Sequence, residues 1–232
     1  MGAGQSSAGV AASTVLATEE SLGRLARFVG PTALAFADPF WSELLSFPEA
    51  LPALRPVDVE EVLRPYCDKL VSNNRNTGHL PSLLLHAAKT LRAVNHNTAE
   101  LPLKAVNALA LATVFVKHYV EHVHVELLQE LCHLPPPEGG SGAAPPVVRT
   151  FLCAVVELLV KHRPTPATYL LHLTALRLLT VMAATQLTQA MVEEDEDGLG
   201  GGHGVHPFLD ALLAACESLP TLAAGAGAGG AA

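Results

Sequence analysis

Charge is scarce in this chain, and positive charge most of all. Aspartate, glutamate, lysine and arginine make up 16% of its 232 residues, below the roughly 25% typical of soluble domains. Its 14 Lys plus Arg face 22 Asp plus Glu, a net charge of −8 with histidine neutral. Phosphate backbones are bound through a basic stripe, so this balance argues against a nucleic-acid partner. Half of the residues are hydrophobic, which excludes a disordered polar chain and supplies more apolar surface than a lone domain of this length buries. The expectation is one part of a larger body. Paired cysteines are missing too: Cys67, Cys132, Cys153 and Cys216 are far apart with no CxxC, so no disulfide framework is legible and reduced, buried thiols are expected. No basic residue precedes Arg24 and the first residues are mostly Gly, Ala and Ser, so a secretory signal lacks both its charged and its strongly apolar part.

Long apolar runs are also short of a membrane span. Leu178–Val192 is uncharged, but as a helix it covers only about 22 Å of a hydrocarbon core of about 30 Å. Extending it back to Pro164 places Arg177 in mid-span, which favours a buried soluble helix over an integral membrane protein through Pro164–Val192.

Alternating β-branched and polar residues are absent, whereas large apolar residues recur at helical spacing almost throughout, so the fold is all-α. A flexible N-terminus over 1–18 leads into a short helix near Glu19–Val29. Asp38 is the expected N-cap of a helix Pro39–Phe47. Val59, Val62, Leu63, Tyr66, Cys67, Leu70 and Val71 form one face that runs past Pro65, which predicts a kinked helix. Ser72–Gly78 then reads as a loop whose amides cap the flanking helices. Leu80–Val94 is amphipathic, and the helix from Pro102 through Val116 is apolar on nearly all sides and must be covered all round.

The stretch 135–146, PPPEGGSGAAPP, is a low-complexity linker or insertion between a first helical region, 19–134, and a second, 147–219. Within the second, helices are expected over Val147–Arg163, Ala167–Val192 and Pro207–Leu219, and 220–232 is a low-complexity tail. Helix, short turn, helix with two apolar sides per helix points to an α-solenoid with Gly/Pro/Ala-rich insertions and disordered termini.

The densest polar cluster is on the third long helix. His118 and His122 stand four apart with Glu126 four further, a spacing that stacks them on one helix face and could hold zinc. It is not HExxH, and no further ligand is identifiable, so solvated histidines are the default and a zinc-dependent hydrolase on His118, His122 and Glu126 is the alternative. Gly198–Gly202 follows the acidic run Glu193–Asp197 with no strand before it, so it reads as filler and not as a phosphate loop. No catalytic residue is assigned. One motif has a sharp physical meaning: Met1-Gly2-Ala3-Gly4-Gln5-Ser6 fits the pattern for myristate attachment to Gly2 once Met1 is removed.

Asp38-Pro39-Phe40-Trp41-Ser42-Glu43-Leu44-Leu45-Ser46-Phe47, the stretch Leu70–Leu80 with Asn73-Asn74-Arg75-Asn76-Thr77-Gly78-His79, and Thr174–Leu187 resemble, in the same order, the N-terminal portion of the dymeclin family. Gly2 and Ser6 coincide with that family's myristoylated start, and His206-Pro207-Phe208-Leu209 resembles the opening of its next helix. The resemblance spans most of this chain but only the first part of a dymeclin, as in a truncated gene model or fragment. It implies a cytosolic, non-enzymatic protein peripheral on Golgi membranes. Such a protein would serve Golgi organisation and vesicle traffic through Golgi-membrane protein partners, with covalent myristate and no cofactor. Packing is the first expectation for the aromatic block, and Trp41, Asn73, Asn74 and Gly78 are the residues offered for an interaction surface.

Overall fold

The computed structural model of the chain describes residues 18–53, 56–95, 99–123, 146–196 and 207–218, together with Leu16, Glu130 and Leu131. Gly2, Ser6, Glu126, Cys132, the stretch 135–145, Gly198–Gly202 and the tail 220–232 lie outside the described residues. Regular structure among the described residues is helical throughout: α1 (Glu19–Phe28), α2 (Phe40–Leu44), a 3-10 turn (Leu51–Ala53), α3 (Pro56–Thr77), α4 (His79–Arg92), α5 (Leu103–His122), α6 (Val147–Lys161), α7 (Tyr169–Glu196) and α8 (Pro207–Ser218).

Helix α1 begins where Thr18 accepts the Ser21 N–H at 3.2 Å, with Glu19 and Glu20 in the first turn to suit the helix dipole. The Asp38 carboxylate accepts the Phe40 N–H at 2.8 Å, but α2 starts at Phe40 with Pro39 at its N-cap, one residue later than expected. The helix also stops at Leu44, short of the expected Phe47. Pro48 pushes Phe47 out of the helical region, and Arg24 reaches across from α1 to the Glu43 and Ser46 carbonyls at 2.6 and 3.1 Å, closing the helix end.

The second difference concerns Ser72–Gly78, read as a loop. Helix α3 runs through Pro65 and on to Thr77, and Gly78 alone breaks the chain, at φ 63°. Ser72 and Thr77 donate their hydroxyls to the Asp68 and Asn73 carbonyls one turn back, so these polar residues sit comfortably in a helix. A Cβ at Gly78 would meet nothing within 4 Å. Gly78→Ala is therefore expected to lose only the left-handed backbone penalty, about 1 kcal/mol, in urea unfolding of the chain.

The long helices form two layers. Alternate helices stack on one another, α3 on α5 on α7 and α4 on α6 on α8, while α3 and α4, α4 and α5, α6 and α7, and α7 and α8 meet between the layers. That arrangement is compatible with an α-solenoid. Helix α5 is the one helix among those described that is long and apolar enough to cross a membrane by length and composition. It is the central helix of the body: α3, α4 and α7 surround it, and Val106, Ala108, Leu109, Leu111 and Ala112 are inaccessible. The chain covers most of it, leaving Thr113 and Val114 half-buried. Helix α7 begins with Thr165 and Thr168 exchanging backbone N–H to hydroxyl bonds at 3.0 and 3.2 Å, and it continues to Glu196, into the acidic run. It packs on α5.

Among the cysteines, Cys67 is buried as expected, but Cys153 is half-buried and Cys216 exposed on α8. Burial, reinforced by Asp68 and Glu60, pushes the Cys67 thiol up to about 12, which leaves it unreactive.

Candidate functional site

The aromatic block and the asparagine stretch, far apart in sequence, meet at one end of the body. Trp41 is 1% exposed. Its indole N–H donates to the Ala35 carbonyl at 3.0 Å, its face stacks on His86 with centroids 5.1 Å apart, and its edge meets Phe28 at 6.2 Å. Phe28 in turn packs on Phe115 of α5 at 5.1 Å. The indole thus bridges α1, α2 and α4.

His79, fully buried, is the polar centre of this cluster. One ring nitrogen, Nε2, accepts the Leu34 N–H at 3.2 Å, so the proton resides on Nδ1, which donates to the Phe28 carbonyl. Burial pushes its pKa down from the ordinary 6.5, against the pull of the Phe28 and Thr32 carbonyls. Its neighbours at the end of α3 serve the same helix ends. Asn73 donates to the Val29 carbonyl at 2.8 Å, closing α1. Asn74 accepts the Leu80 N–H at 2.8 Å, opening α4, and donates to the Tyr119 hydroxyl of α5 at 3.1 Å. Gly78 makes the turn that lets one asparagine reach across it. Of the residues offered for an interaction surface, Trp41 and Asn74 are buried, and Asn73 and Gly78 are half-buried. Chemically the cluster is a clasp of neutral, mutually satisfied groups that fixes α1 and α2 to the helical layers.

A second buried amide extends it. Asn107 of α5 is inaccessible, accepts the Leu51 N–H at 2.8 Å and donates to the Glu49 carbonyl at 3.1 Å. It pins the connection between α2 and α3 to the central helix. Asn107 looks in sequence like an ordinary interruption of an apolar run, and only the fold reveals its partners.

The histidine pair lies at the C-terminal end of α5. His118 Nε2 is 3.0 Å from Asp68 of α3, and the two rings stack at 4.2 Å. Burial first, and His122 second, lower the His118 pKa against the attraction of Asp68 and Glu121. His122 is exposed, and its Nδ1 lies 3.1 Å from the His118 carbonyl. His118 is therefore not solvated but half-buried against a carboxylate. No group of three metal-ligating side chains occurs among the described residues, and Glu126, the third residue of the zinc alternative, is outside them.

Comparison with known proteins gives the relationship. The chain is 29% identical over 172 residues to Dymeclin of Gallus gallus, and 26% identical over 180 residues to Dymeclin of Mus musculus. Each match takes in 70% of this chain and 26% of the relative, so the chain spans about a quarter of the length of these curated relatives. No solved structure matches it. The family model described as Dymeclin: Dyggve-Melchior-Clausen syndrome protein matches residues 1–223, nearly the whole chain and all of the clasp, and the chain belongs to the dymeclin family.

Proposed function

We propose that this chain forms the N-terminal helical region of a non-enzymatic, Golgi-associated peripheral membrane protein that acts in Golgi organisation and vesicle traffic. Myristate on Gly2 supplies the lipid contact, and the helical body binds Golgi-membrane proteins. The single observation that carries this reading is the family match, which runs from residue 1 and so takes in the Gly2 motif together with the helical body.

A single myristoyl chain gives an association constant of only about 10⁴ M⁻¹, so firm anchoring needs a second signal. A polybasic patch is a poor candidate for it. Arg24 is bound to the end of α2, and Arg27 pairs with Asp38 at 3.1 Å, so the two arginines nearest the N-terminus are engaged within the body. Cys67 is buried, which removes the nearest thiol as a second acylation site. Protein contacts remain as the source of Golgi specificity.

The test is imaging and fractionation of the chain with a C-terminal tag. Gly2→Ala should move most of the protein from Golgi membranes to the cytosol, and the wild type should exchange rapidly between the two with little sensitivity to salt. Unchanged Golgi localisation of Gly2→Ala would refute an essential role for the lipid.

A further inference from the structure

Between α3, α5 and α7 the body carries an open groove of about 450 Å³, within the roughly 300–1,000 Å³ range of ligand sites. Leu51, Val59, Ala110, Val114, Leu173 and Leu176 line it. Three threonines also face it, and each has its hydroxyl turned back on its own helix: Thr113 donates to Leu109, Thr174 to Leu170 and Thr180 to Leu176, at 2.7, 2.7 and 2.9 Å. What they offer a ligand is a methyl group. At one edge Lys117 is already neutralised by Glu60 at 2.7 Å. Arg177 of α7 also lines it, exposed at the rim; away from that rim charge the polar groups are satisfied from within, so the groove recognises an apolar ligand, because a polar one would lose its water without gaining partners. Leu176 is 52% exposed on its wall, so the apolar lining meets solvent.

We propose that this groove binds a saturated fatty acyl chain and that its occupant is the myristoyl group of Gly2. The proposal rests on the Gly2 lipidation reading above. Leu16 is buried in the body and roots the N-terminal segment. The 14 residues from Gly2 to Leu16 can extend about 46 Å, more than the length of the 20-residue helix α5, which is about 30 Å. A ligand carried on the same chain within that reach competes with a bilayer that binds one myristoyl chain at only about 10⁴ M⁻¹. The lipid then partitions between groove and membrane.

Lauric acid serves as the free ligand, measured by calorimetry against the unmodified full chain. Wild type should bind one molecule. Leu176→Asp should weaken binding by at least about tenfold by placing a charge on the apolar wall, and the exposure of Leu176 lets the fold survive, as a thermal melt checks. Thr113→Val, which keeps the methyl surface, should bind like wild type. The chain co-expressed with N-myristoyltransferase should no longer bind lauric acid, and adding Leu176→Asp to it should raise the fraction bound to phosphatidylcholine vesicles. A folded wild type that binds no lauric acid, or binds it equally well as Leu176→Asp, overturns the groove. Lauric acid binding that persists in the myristoylated chain overturns Gly2 as the source of the occupant. Mass spectrometry showing Gly2 unmodified refutes the lipidation reading and that source together, while the lauric acid arm still decides the groove.

Discussion

Trp41→Ala is expected to destabilise the chain by about 3–5 kcal/mol, a large part of the 5–15 kcal/mol that holds an ordinary domain together. The indole is 1% exposed and packs at once on Phe28, Phe40, His79 and His86. These neighbours come from three helices that meet around the ring, so they cannot close over the space it leaves without shifting α1 or α2. The Ala35 carbonyl would also lose the indole N–H that it accepts. Urea unfolding followed by circular dichroism measures the loss. A change under about 1 kcal/mol would mean that α2 is a loosely attached element.

His79→Ala is expected to be nearly as severe, by a different route. It strands the buried Phe28 carbonyl, whose unpaired state costs about 1–3 kcal/mol, and the half-buried Leu34 N–H, and leaves a cavity between Phe28 and Trp41. The same residue gives stability a pH dependence. Its folded pKa lies below the ordinary 6.5 because burial disfavours the imidazolium. Below 6.5 the unfolded chain therefore binds a proton that the folded chain does not. The His79 contribution is fully present above that value and is lost as pH falls from it through the lower folded pKa. His118, lowered by burial and by His122, adds in the same direction. Wild-type stability should fall between neutral pH and pH 5, and the slope should be shallower in His79→Ala. An identical slope in the two proteins would remove His79 as its source.

How far the sequence foretells these features depends on the physical scale involved. Helical periodicity is local and strong, so the all-helical fold and the buried status of the Pro102–Val116 stretch are legible without coordinates. Helix ends are less so. The run Ser72–Thr77 has the composition of a loop, yet Asn73 and Asn74 bond to Val29, Leu80 and Tyr119, which removes their competition with the helix. That preference is settled by partners 6 to 45 positions away, which no local pattern contains. The Asp38–Phe47 block announces itself by its aromatic content, and packing is the right first expectation for it. The pairing of Trp41 with His86 and His79 depends on how α4 lies across α2. His118 likewise reads as a solvated helix-end residue until α3 brings Asp68 to 3.0 Å.

The clasp is a statement that residues from separate blocks act as one unit, and a double-mutant cycle between Trp41 and His79 measures that most directly. The two rings meet edge to face at 5.9 Å and 78°, and both hold α1 and α2 against α4. The unfolding free energies of wild type, Trp41→Ala, His79→Ala and the double variant should give a coupling of at least about 1 kcal/mol, because the second substitution acts on an end of the body that the first has already loosened. Additivity within about 0.5 kcal/mol would show the two residues to be independent and the clasp to be two unrelated packing sites.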